Sequence, residues 1–244
     1  MVDVKPHPVN FVGSPRERKT VIDRVIFHES AVATLEGTLK ALQAKGLSVH
    51  YCVDRDGRVT QHAQHSRACA HAGGNPPGTK HNIRSIGIEL INRYYGHRVN
   101  QTTGLTTYTG KYAPQIISGI WVDRAWSSTT NSFANPDRKY IMPTPEQLES
   151  SWQLLCTILP YYRNIEQAGW SGVTTTLTGK KVYNWTTLSN HDGPGIKCHA
   201  QWAHADGRVV DHYTYLRHKG FTEQAAYDLT VKNASSMQRQ TEVP

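Results

Sequence analysis

From Val21 to His28 the chain reads VIDRVIFH, alternating toward an apolar run that predicts a buried strand with a histidine at its end. Leu35, Leu39 and Leu42 fall at helical spacing within Thr34 to Lys45, with Gly46 as a stop, so a helix is expected there. His50 to Gln61 places two β-prone arms around Asp56-Gly57, the pattern of a tight hairpin. Ser85 to Ile91 is an almost unbroken apolar run suited to a central strand, interrupted by one carboxylate, Glu89. A carboxylate in such a strand is costly unless it is paired or metal-linked, which singles Glu89 out.

From Asn92 to about Pro143 the composition shifts to Gly, Thr, Ser, Asn and Tyr, and the stretch far exceeds an ordinary loop. It reads as an inserted subregion of short strands and loops. Helical periodicity returns at Pro145 to Tyr162: Thr144 is a good N-cap, Pro145 suits the first helical position, and Leu148, Trp152, Leu155 and Leu159 share a face. Leu188 to His199 reads as a strand end passing into a Gly/Pro loop, and the tail beyond Tyr215 holds one weakly amphipathic helix and a polar end. The predicted fold is α/β, a mixed central β-sheet flanked by α-helices. Residues 1–19 would form an N-terminal extension, 20–215 one domain with its insertion at 92–143, and 216–244 a C-terminal helix and tail.

Composition narrows the setting without choosing a partner. The chain has 244 residues, a formal net charge of +8 and a pI near 9.3, so its field favours polyanions such as nucleic acid, anionic lipid or cell wall. No basic stripe interleaved with aromatics supports a nucleic-acid binder. No window approaches the ~18 apolar residues of a membrane span, and the N-terminal segment lacks the apolar stretch of a secretory signal. Cys52, Cys69, Cys156 and Cys198 show no CxxC spacing, so free thiols are expected, with a Cys52–Cys69 disulfide as the alternative in an oxidising compartment.

Thirteen histidines make any chosen pair weak evidence, and His62, His65, His97, His204 and His212 read as surface or hydrogen-bonded residues. Three others differ in context. His28 ends an apolar strand, whereas His191 and His199 share one short Gly/Pro loop with Lys197 between them. Three imidazoles with an open fourth position are what a catalytic zinc site requires. Spacing alone leaves a zinc site and structural histidines both open.

The segments VIFHES, SVHYCVDRDGRVTQ, HAGG at 71–74, NIRSIGIEL at 82–90 and the His191-x5-Lys197-x-His199 run follow one another in an order that resembles the type 2 N-acetylmuramoyl-L-alanine amidases, the fold also found in peptidoglycan recognition proteins. The resemblance covers roughly residues 20–95 and 144–200. It implies Zn2+ held by His28, His191 and His199. Relatives more often use Asp or Cys at the third position, so Cys198 stands as the alternative ligand, with Asp192 more remote or orienting a ligand ring. It implies Glu89 as general base, against a structural carboxylate paired with Arg84 or Arg93. The tyrosine that some relatives place before the hairpin histidine is Val49 here. It also implies Lys197 as the cation facing a developing oxyanion, against a solvated loop lysine, and His50, His71 and Asn82 as substrate-binding residues.

The expected activity is therefore hydrolysis of the amide between N-acetylmuramic acid and L-alanine of peptidoglycan, the partner being a muropeptide stem. A phage endolysin or a secreted antibacterial effector, the latter with an immunity protein, fits the basic, signal-less chain. It would be made in the cytoplasm and act on the wall after lysis or specialised secretion. The alternative is a non-catalytic peptidoglycan-binding module.

Overall fold

The computed structural model describes residues 2–6, 16–30, 32, 34–72, 80–92, 140–185, 193–199, 207–235 and 240–242, with short strand pairs between 106 and 133. Its centre is a six-stranded sheet: β1 (Val4–Pro6), β2 (Arg24–Glu29), β3 (Tyr51–Val53), β4 (Val59–Gln61), β5 (Ser85–Leu90) and β6 (Gly195–Cys198). The spatial order is β1-β4-β3-β5-β2-β6. Only the β3–β4 hairpin is antiparallel; the other pairings are parallel, so the sheet is mixed as expected.

Every residue of β2 and β5 is buried, which explains their near-continuous apolar reading. The two faces nevertheless differ. Val25, Phe27, Ile86, Ile88, Leu90, Tyr51, Val53 and Ile196 enter one large core. That core is closed by α3 (Pro145–Ile158) and α5 (Arg208–His218), with α6 (Glu223–Ser235) behind them, and it takes in Ile165 of α4 (Arg163–Ala168). The alternating residues Arg24, Ile26, His28, Ser85, Gly87, Glu89 and Lys197 project from the opposite face. There α1 (Leu35–Ala44) covers only the β3 side, packing Leu35, Leu39 and Leu42 around Val49, Cys52 and Ile91. The sheet is thus apolar toward the helical layer and polar toward the other side.

The capping signals are realised as read. Thr34 caps α1 through Gly37 N–H, and Thr144 with Gln147 forms a reciprocal capping box on α3. Gln147 goes further, since its side-chain amide donates to the Val53 and Ile91 carbonyls and fastens the helix to the sheet. The helix expected to reach Tyr162 ends at Ile158, and Leu159–Tyr161 continue as a 3₁₀ turn around Pro160. Within the insertion, paired strands occur at Thr106–Thr107 with Ile116–Ile117, Trp121–Val122 with Tyr140–Ile141, and Trp126–Ser127 with Ser132–Phe133.

α5 was not anticipated by the pattern. Residues 208–216 are all buried, including Asp211, His212 and Thr214, so no apolar stripe marks it. Two of its buried polar groups are met from other elements: His212 Nδ1 lies 3.0 Å from Thr230 Oγ1, and Thr214 Oγ1 accepts from Trp170 Nε1 at 2.9 Å. Its N-terminus is fixed to the site strand, because Gly207 N–H donates to Glu29 Oε2 at 2.9 Å while Asn92 Nδ2 donates to Glu29 Oε1. Gly207 has φ +79°, and a Cβ there would stand 2.3 Å from the Phe27 carbonyl oxygen. Gly207→Ala should therefore destabilise the fold by more than about 1 kcal/mol, read as a lowered Tm. An unchanged Tm would show that the α5–β2 junction yields freely.

All four cysteines are free thiols, which disposes of the Cys52–Cys69 disulfide. Among the described residues no helix is long and apolar enough to cross a membrane.

Candidate functional site

Parallel pairing of β2 with β5 makes His28 and Glu89 direct register partners, so both side chains leave the same face of adjacent strands. On the other side of β2, Lys197 partners Ile26 and Cys198 partners Phe27. That register places Cys198 toward the helical core, away from His28, and the residue after it beside His28. The His28 and His199 rings stand 4.7 Å apart between centroids. Of the two candidate third ligands, His199 is the one gathered with His28.

A third imidazole joins them. His28 Nε2 lies 2.8 Å from His71 Nδ1, the rings meeting edge to face at 5.0 Å. His71 Nε2 is 2.9 Å from Ser85 Oγ, whose hydroxyl donates to the His81 carbonyl on α2 (Lys80–Arg84). The ring lies over Gly87, where a Cβ would come within 2.6 Å of His71 Nδ1. The glycine of the SIGIE segment is therefore what gives His71 its place. Burial, reinforced by His50 and His199 nearby, holds the His71 pKa well below the usual imidazole range, so the ring is neutral.

His50 and Asn82 occupy supporting positions. His50 is wholly buried and takes the Gly87 N–H on Nδ1 at 3.0 Å, so its Nε2 carries the proton and donates to the Arg67 carbonyl. Asn82 Oδ1 accepts from both His71 N–H and Ala72 N–H, at 3.0 and 2.8 Å, and so clasps the HAGG loop. These bonds face inward, where the resemblance implied substrate contact. Arg18 underlies both: it donates to the carbonyls of His65, Ile83, Arg67 and Ser85.

Glu89 is buried, with 8% of its surface exposed. One proposed structural partner is occupied elsewhere, since Arg84 pairs with Asp23. Lys197 is fully buried on the His28 face, not a solvated loop lysine; burial first, then neighbouring Arg24, lowers its pKa to about 8, which keeps it cationic at neutral pH. His191, Asp192 and Arg93 lie outside the described residues, as do His97 and His204. Among the described residues no three His, Cys, Asp or Glu side chains form a metal-holding group, and the expected third donor, His191, is not one of them. Two imidazoles with ring centroids 4.7 Å apart, one on β2 and one just past the end of β6, fit part of a zinc donor set.

Sequence reasoning missed Ser85, Gly87, His81, Glu29 and Arg18. Glu29 alone had an available signal: a second carboxylate in the VIFHES run, buried as an acid in an apolar strand must be for a reason.

Buried neutral imidazoles give the fold a pH signature. Burial lowers His50 to about 3, His65 to about 4 and His212 to about 3, while it raises Asp211 to about 7. Near pH 5 unfolding lets three histidines take up protons and one aspartate release its proton. Stability from the histidines is full above pH 6.5 and lost as pH falls toward 3 to 4; Asp211 acts in the opposite sense between about pH 4 and 7. The three outweigh the one, so Tm should drop as pH is lowered from 7 to 5. A flat or rising Tm over that interval would contradict neutral burial of these rings.

A family model described as N-acetylmuramoyl-L-alanine amidase matches residues 18–211. Solved structures similar to the chain include the N-acetylmuramoyl-L-alanine amidase LysC from Clostridium intestinale URNW, at 12% identity and TM-score 0.42 over 82% of this chain and 83% of that one. The hydrolase AmiA from Staphylococcus aureus, in complex with its ligand, is 14% identical with TM-score 0.43 over 95% of this chain and 83% of that one. Drosophila peptidoglycan recognition protein SD is 14% identical with TM-score 0.39 over 83% and 86%. No curated protein matches the chain.

Proposed function

Because this chain belongs to the N-acetylmuramoyl-L-alanine amidase family, we propose that it is a zinc-dependent peptidoglycan hydrolase cleaving the amide between the lactyl group of N-acetylmuramic acid and L-alanine, with a bacteriolytic role. The observation that carries the reading is the register pairing of His28 with Glu89, with the His199 ring beside them on the polar face of the sheet. His28, His199 and His191 would hold the metal. Zinc, when bound, supplies a Lewis acid toward the lactyl carbonyl and lowers the pKa of a water toward ~7.

The chain's own groups divide the remaining work. Glu89 accepts a proton from the attacking water and delivers it to the leaving amine of L-alanine, so the free acid and the free amine are both accounted for. Lys197, cationic and wholly desolvated, steadies negative charge on the former carbonyl oxygen more strongly than a solvated lysine would. The basic surface draws the protein to an insoluble anionic wall.

Dye release from labelled murein tests the catalytic reading: solubilised dye supports an amidase, whereas binding without release returns the non-catalytic recognition module. The third ligand is tested by a pair of variants. Cys198→Ser should keep zinc and most activity, because that side chain faces the helical core, while His199→Ala loses both. The reverse pattern, seen by elemental analysis, would assign the thiolate as ligand.

A further inference from the structure

The resemblance implied a substrate-facing His71, yet both ring nitrogens point into the protein. Ser85 has one hydroxyl proton, and it is directed to the His81 carbonyl at 2.5 Å. Ser85 Oγ must then accept from His71, which puts the His71 proton on Nε2. A neutral ring protonated at Nε2 has its lone pair on Nδ1, and that atom is 2.8 Å from His28 Nε2. His28 is consequently the donor in this contact, and a neutral imidazole that gives its Nε2 proton keeps its lone pair on Nδ1.

We infer that His71 is a positioning residue which, through the directed chain His28 Nε2–H to His71 to Ser85 to the His81 carbonyl, fixes the tautomer and ring orientation of His28 so that Nδ1 is the atom offered to a metal. Three features hold the device in place. Asn82 clamps the His71 backbone, Gly87 leaves the room its ring occupies, and Ser85 and Gly87 sit on the same strand as Glu89, four and two residues before it. One strand thus sets both the proton acceptor and the orientation of the facing ligand. This inference rests on the zinc reading only for its purpose; the hydrogen-bond chain stands without it.

Ring nitrogen shifts of 15N-labelled, metal-free protein read the tautomer directly. His28 should be protonated at Nε2 in the parent chain, and should lose that uniform tautomer in His71→Ala. Zinc titration monitored by competition with a chromophoric chelator should then show affinity weakened about 10- to 100-fold in His71→Ala. His71→Asn, which retains an acceptor near the position of Nδ1, should recover much of the loss, whereas a merely space-filling role would be better served by His71→Leu. A parent His28 protonated at Nδ1, or zinc binding as tight in His71→Ala as in the parent, would overturn the inference. A parent chain that binds no zinc yet shows Nε2–H on His28 would instead remove the zinc reading and leave the hydrogen-bond chain intact.

Discussion

Glu89→Gln should fold, take up zinc and bind murein as the parent chain does, while its turnover on murein falls by about 10²- to 10⁴-fold, the range for loss of a positioned general acid–base. The substitution keeps volume and hydrogen-bonding capacity at a position paired in register with His28 and Cys52, so packing of β5 is preserved. Only the capacity to take a proton is removed. The pH profile should change too, with the acidic limb of kcat/KM flattened. Near-parental turnover in Glu89→Gln would exclude it as the base, and with Val49 in the place of a tyrosine no second acceptor is proposed. Loss of solubility and zinc together would assign Glu89 to holding the strand.

An effect of similar size is expected at the ligands. His28→Ala and His199→Ala should reduce zinc from about one per chain to none, as measured by elemental analysis, with murein hydrolysis falling to background. The two variants should behave alike, because their rings stand 4.7 Å apart and neither alone gives a zinc ion enough donors. His191→Ala should join them. Full metal occupancy in either His28→Ala or His199→Ala would remove that residue from the donor set. Adding excess zinc should not restore hydrolysis, since the missing ligand also fixes where the metal would sit.

The strands bearing the site were legible because parallel strands buried on both faces must be apolar, which made His28 and Glu89 conspicuous against VIF and IGI. The α1 and α3 helices were legible through their caps and leucine spacing. α5 was not, because its buried Asp211, His212 and Thr214 meet Tyr183, Thr230 and Trp170, partners far away in sequence that no local pattern announces. The same reason hid the supporting roles of His50 and Asn82: from the sequence they are polar residues near a motif, and only the folded chain shows their atoms turned toward Gly87, His71 and Ala72. Which of Cys198 and His199 stands beside His28 turned on strand parity. Adjacent residues on a strand face opposite ways, and which of the two faces His28 depends on the β2–β6 register, information that lies in the pairing and not in either segment alone.

The most direct test is mass analysis of the products formed from a defined muropeptide by the zinc-loaded protein. The account predicts two fragments: an N-acetylmuramic acid species ending in a free lactyl carboxylate, and a stem peptide beginning with the free amine of L-alanine, their combined mass exceeding the substrate by one water. Cleavage within the glycan or within the stem peptide, or an intact muropeptide recovered from active, zinc-loaded protein, would contradict it.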